Sequence, residues 1–84
     1  MNTCMIYVAT SGPEEAQKLA ETLVSEQLVA CVNIIDGVTS VYRWQGKIES
    51  SQESLLIAKT THERREAAMV RLRDLHSYDT PCIV

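Results

Sequence analysis

The sequence predicts a small α+β domain with the element order β-α-β-β-α-β. Three observations predict it. Two segments carry apolar residues at helical spacing, two short apolar runs are rich in β-formers, and one long stretch forms two arms about a glycine. The 84 residues suffice for one domain, 1–84, and not for two. Leu, Ile and Val number 21, enough to build a core and to exclude a disordered tail. A domain this short buries only about 60–65% of its unfolded surface, so association with further copies is a physical remedy for modest stability.

Residues 4–10 (Cys-Met-Ile-Tyr-Val-Ala-Thr) form an apolar run read as a buried strand. Ser11-Gly12-Pro13-Glu14 stops it. Ser11 and Glu14 have capping-box spacing, Pro13 suits a first helical turn, and Glu14 and Glu15 place negative charge at the helix amino end. The helix runs to about Glu26, with Ala16, Leu19, Ala20, Leu23 and Val24 on one stripe. Residues 28–35 are a second apolar strand. Asp36-Gly37 then reads as a bulge, because β-pattern resumes at once. Val38, Ser40, Tyr42 and Trp44 share one face beyond it, and Thr39, Val41 and Arg43 the other. Gly46 marks a tight turn, with Gln45-Gly46 or Gly46-Lys47 as its two-residue loop. Residues 47–60 are the return arm of this long hairpin. A two-stranded ribbon is marginal in water, and Tyr42 and Trp44 near its tip need burial, so a partner subunit is expected there.

Thr60 and Glu63 repeat the capping-box spacing ahead of a helix over 61–75. Arg65, Ala68, Met69, Leu72 and Leu75 line its core face, with Arg65 snorkelling, while Val70 lies opposite with no packing role assigned. Pro81 opens a last strand, of which only Cys82-Ile83-Val84 follow. This is the split βαβ arrangement of ferredoxin-like folds, with both helices on one sheet face and a C-terminal strand that reads as truncated.

Composition excludes several functions. The net charge of −3 opposes nucleic-acid binding, which needs a basic face. No apolar run approaches the roughly 18 residues of a membrane span, and the amino terminus lacks the pattern of a signal peptide. Cys4, Cys31 and Cys82 do not pair evenly and form no CxxC; they read as reduced, buried thiols of a cytoplasmic protein. No GxSxG or phosphate loop is present, and Cys31 has no neighbouring base, so no catalytic residue is assigned. Two groups remain as sites. His76 and Cys82 offer an imidazole and a thiolate that suit copper or zinc, against a capping role for His76 at the helix carboxyl end. Arg43, Lys47 and Lys59 would line an anion-binding cleft between subunits, against salt bridges to Glu49 and Glu53. A small hydrolase of acylphosphatase type would need an arginine and an asparagine in a loop, whereas Arg43 and Asn33 fall in strands.

The nineteen residues from Ala30 through Cys31-Val32-Asn33 and Tyr42-Arg43-Trp44-Gln45-Gly46 to Ile48 closely resemble the CutA family of divalent-cation tolerance proteins. Pro13-Glu14-Glu15-Ala16, Ala58-Lys59-Thr60-Thr61 and His76-Ser77-Tyr78-Asp79-Thr80-Pro81 resemble it too. The resemblance implies a ferredoxin-like subunit in a homotrimer similar to PII signalling proteins, with hairpins paired between subunits and Tyr42 and Trp44 at the interface. It implies a non-enzymatic role in tolerance of copper or another divalent cation, with the chain itself and a metal ion as partners. The alternative is a PII-like sensor of a small anion. The family commonly shows His-Pro-Tyr-Glu-x-Pro-Glu, where this chain has Cys82 after the proline. Some members carry a cysteine at the end of the first strand and a His-His pair, proposed as copper ligands; here Ala9 and Leu75-His76 stand there. The family also continues for some twenty residues beyond this sequence.

Overall fold

A computed structural model describes residues 2–84. Strand β1 (Thr3–Thr10) leads to helix α1 (Pro13–Ser25); β2 (Cys31–Trp44) and β3 (Lys47–Thr61) form the hairpin, and helix α2 (His62–Leu75) follows. The sheet order is β1-β3-β2, antiparallel throughout. The last residues join the free edge of β1, where Val8 bridges Ile83 and the Tyr7 and Val84 amides and carbonyls bond reciprocally at 2.6 and 2.9 Å. This is the expected ferredoxin-like topology, with residues 82–84 at the position of the fourth strand.

Period two sorts the strands into two faces. Ile6 and Val8 of β1 lie opposite Ala58 and Leu56 of β3, and all four are buried beneath the helices. Ala16, Leu19, Ala20 and Leu23 of α1 and Ala68 and Leu72 of α2 complete that core, with Met69 and Leu75 packed against it. The other sheet face has no helix over it, and it carries Met5, Tyr7 and Ile35 exposed.

Asp36-Gly37 is the expected bulge. Ile35 pairs with Leu55 and Val38 with Glu53, so two residues of β2 stand against Ser54 alone. Gly37 takes φ 70°, a left-handed value that glycine adopts without the Cβ penalty. The Ser54 hydroxyl donates to Asp36 Oδ1 at 2.7 Å, and the buried Thr10 hydroxyl donates to the Ser54 carbonyl at 2.8 Å. At the hairpin tip Trp44 pairs with Lys47, which settles the loop as Gln45-Gly46 with φ 50° and 78°.

Several local expectations are corrected. Neither helix is capped by a capping box. At α1, Glu15 rather than Glu14 reaches back, accepting the Ser11 amide at 2.9 Å. At α2, the N-cap residue is Thr61, and the Thr60 hydroxyl is spent on the Leu28 carbonyl at 2.7 Å. Residues 28–30 precede β2 because α1 closes in a Schellman turn, with Leu28 and Gln27 amides bonded to the Leu23 and Val24 carbonyls and Gln27 at φ 60°. Val24, at the margin of the apolar stripe, is exposed, and so is Arg65. Cys31 and Cys82 are exposed and Cys4 half-buried, rather than buried together. Strand parity puts Cys31 in the row of Met5 and Lys59 on the uncovered face.

Two substitutions test the backbone argument with opposite signs. Gln27→Gly removes a left-handed non-glycine and raises stability by about 1 kcal/mol, whereas Gly46→Ala imposes one and lowers it by about 1–2 kcal/mol. Thermal melts of both variants check the pair.

Candidate functional site

The polar chemistry gathers where the carboxyl end of β1, the amino end of α1, the bulge and the segment after α2 meet. His76 leaves α2 in extended conformation with its ring buried. Its Nδ1 accepts the Tyr78 amide at 3.1 Å, which leaves the proton on Nε2, and Nε2 donates to the Ala9 carbonyl at 2.7 Å. The Ser77 amide donates to Glu15 Oε2 at 2.7 Å, so one carboxylate ties the turn before α1 to the turn after α2. The Tyr78 hydroxyl donates to Glu53 Oε2 at 2.8 Å, and the Ser40 hydroxyl donates to Glu53 Oε1.

These contacts set the local electrostatics. Burial raises the Glu15 carboxyl, but the amides and hydroxyls of Ser11 and Ser77 outweigh it and bring the group from 4.5 down to about 2. Burial, the hydrogen bond to Glu53 and the charges of Glu53 and Glu15 push the Tyr78 phenol up to about 12.

His76 and Cys82 meet the same residue. Ala9 receives the His76 Nε2 proton at its carbonyl and donates its amide to the Cys82 carbonyl at 3.3 Å. Both ring nitrogens of His76 are engaged, however, so the ring has no free lone pair. Among the described residues no group of three or more His, Cys, Asp and Glu side chains is gathered as a metal site. The donor set does not fit a resident ion within one chain. His76 instead has the hydrogen-bonded structural role, through its ring, and its amide closes α2 on Leu72.

Arg43, Lys47 and Lys59 are not brought together. Arg43 and Lys47 sit at the hairpin tip, and Lys59 lies twelve residues along β3, about 40 Å of strand away. A cleft lined by all three can form only between copies. Tyr42 and Trp44 stand on the uncovered face of the arm, 44% and 60% exposed. Their row continues through Ile35 to Tyr7 and Met5, and across the arm Val41 and Ile48 stand about two-thirds exposed on the opposite face.

Sequence reasoning missed Glu15, Ser40 and Glu53. Glu15 had a readable signal, a carboxylate four residues after Ser11. The Tyr78–Glu53 bond spans 25 positions and has none.

The architecture and this surface define a class: a ferredoxin-like α+β subunit with a projecting hairpin and a bare apolar sheet face. The family model described as CutA1 divalent ion tolerance protein matches residues 4–84. The chain is 42% identical over 80 residues to the divalent-cation tolerance protein CutA of Thermus thermophilus, covering 95% of this chain and 78% of that protein. It is 41% identical over 80 residues to the chloroplastic CutA of Arabidopsis thaliana, with 95% of this chain and 44% of that protein covered. Its structure matches the crystal structure of CutA1 from Ehrlichia chaffeensis with a TM-score of 0.97 at 35% identity, over 99% of this chain and 78% of the other. The chain belongs to the CutA1 divalent ion tolerance family. It spans less than half of the plant relative's length and about three-quarters of the bacterial ones.

Because the Glu15 carboxyl is depressed in the folded chain, its contribution is complete above the ordinary carboxylate value and is lost as pH falls through about 2. Glu15→Gln therefore costs about 1–2 kcal/mol at pH 7 and flattens the fall in stability between pH 5 and 2. Denaturant unfolding at a series of pH values checks it.

Proposed function

We propose that this chain serves divalent-cation tolerance, with copper among the cations, as a non-catalytic homotrimer of the cytosol. The relatives named divalent-cation tolerance proteins support the first part. The observation that carries the assembly is the uncovered apolar face running from Met5 and Tyr7 out to Tyr42 and Trp44, on a molecule 43 Å long and about 20 Å thick. Patches of this kind mark interaction surfaces. The arm is bare on both sides. A two-fold pair joined through the open face alone leaves Val41 and Ile48 in water, whereas a closed ring seats each arm between neighbours. The acids and the histidine at the sheet end hold segments together, which supports a scaffold rather than a catalyst.

Trp44→Ala weakens self-association at least tenfold, as loss of an aromatic interface anchor does, and leaves the helical circular dichroism unchanged. Sedimentation equilibrium at micromolar concentration reads the first and far-ultraviolet circular dichroism the second; an unaltered mass distribution contradicts the interface. Titration of the chain with Cu²⁺ in a calorimeter gives no tight one-to-one site on His76 and Cys82. Stoichiometric binding abolished by Cys82→Ser contradicts that reading of the site.

A further inference from the structure

We infer that residues 76–78 form a latch that sets the angle of the hairpin arm at its root, with Tyr78 as the positioning residue. The bulge interrupts the β2–β3 ladder between Ile35 and Val38, and a bulged strand bends where its ladder is broken, so the direction of the arm is set there. Glu53 faces Val38 in the first pair beyond that break. Its carboxylate takes the Tyr78 hydroxyl at one oxygen and the Ser40 hydroxyl at the other, so a single group joins the α2 exit to both strands of the arm. Tyr78 reaches it from a fixed base. Its amide is on His76 Nδ1, its ring lies 4.8 Å from the His76 ring, Ser77 is held by Glu15, and His76 is held by Ala9. The body of the domain thus grips the arm at a point next to the bend.

Leverage makes the contact matter. The arm from Val38 to Trp44 is seven pairs long, six steps of about 3.3 Å or about 20 Å. A change of about 10° at the root displaces Trp44 by about 3.5 Å, enough to break an apolar contact. The latch rests on the proposed seating of the arm between copies for its consequence, though not for its existence.

The test uses the full chain. Tyr78→Phe keeps the ring contact and removes only the hydroxyl; Glu53→Ala removes the shared acceptor. Hydrogen exchange is followed at the amides of residues 38–53, alongside sedimentation. In Tyr78→Phe the arm amides near the root exchange about three- to tenfold faster, as loss of one solvent-exposed hydrogen bond implies, with β1 and both helices unchanged. The double variant exchanges no faster than Glu53→Ala alone, because that substitution already removes the acceptor of the Tyr78 hydroxyl. Unchanged arm protection in Tyr78→Phe, or independent addition of the two effects, overturns the latch. Sedimentation separates the two proposals. A wild-type chain that stays monomeric while its arm loosens on Tyr78→Phe overturns the assembly and keeps the latch. An assembled chain whose arm is indifferent to Tyr78 does the reverse.

Discussion

The structure turns on one extra residue in β2. Side chains alternate faces along a strand, so an uninterrupted β2 carrying Ile35 on the open face would send Val38, Ser40, Tyr42 and Trp44 to the helix side. The bulge at Asp36-Gly37 resets the parity and returns all four to the face of Ile35. It is fixed by three separate means: the left-handed Gly37, the Ser54 hydroxyl on Asp36, and the Thr10 hydroxyl on the Ser54 carbonyl. Met5, Tyr7, Ile35, Val38, Tyr42 and Trp44 thereby share one side of the sheet, interspersed with Ser40, Glu49 and Glu53. Without that reset, Trp44 and Tyr7 would lie on opposite sides of the sheet.

This surface answers a shortage in the core. Both helices cover the same side, and the buried set rests on Ile6, Val8, Leu19, Leu23, Leu56 and Leu72 with small alanines between them. Alanines let the helices approach the sheet closely but contribute little area. The larger apolar residues Met5, Tyr42, Trp44, Val41 and Ile48 stay outside the core. A second layer over the open face would bury Met5, Tyr42 and Trp44, and a neighbour against the other side of the arm would bury Val41 and Ile48; the proposed further copies would supply both without adding length. The acidic and hydroxyl groups at the sheet end then have a clear physical use. They fasten the ends of β1, α1 and α2 to the root of the arm, so that the apolar surface keeps one shape.

Much of this was legible in the sequence. Apolar periodicity located both helices, Gly46 located the turn, and Asp36-Gly37 followed by resumed alternation located the bulge and the shared face of Tyr42 and Trp44. What failed was the assignment of polar side chains to partners. Thr60 and Ser11 have the spacing of helix caps, yet tertiary contact gives Thr60 to Leu28, and Glu15 outcompetes Glu14 for the Ser11 amide. Spacing leaves His76 open between a ligand role with Cys82 and a hydrogen-bonded role at the helix end; only the tertiary contacts, which spend its ring nitrogens on Ala9 and Tyr78, separate the two. Arg43, Lys47 and Lys59 looked like a cluster because a hairpin brings strands together, but register pairs Lys59 with Cys31 and leaves Arg43 at the far tip. Such pairings depend on register and long-range packing, which local spacing does not encode.

The central claim is that the open face and the arm are covered by further copies of the same chain. Native mass spectrometry of the unmodified protein at micromolar concentration tests it most directly. The account predicts a dominant species with the mass of three chains of 9.4 kDa each. A folded species with the mass of a single chain across that concentration range would contradict it.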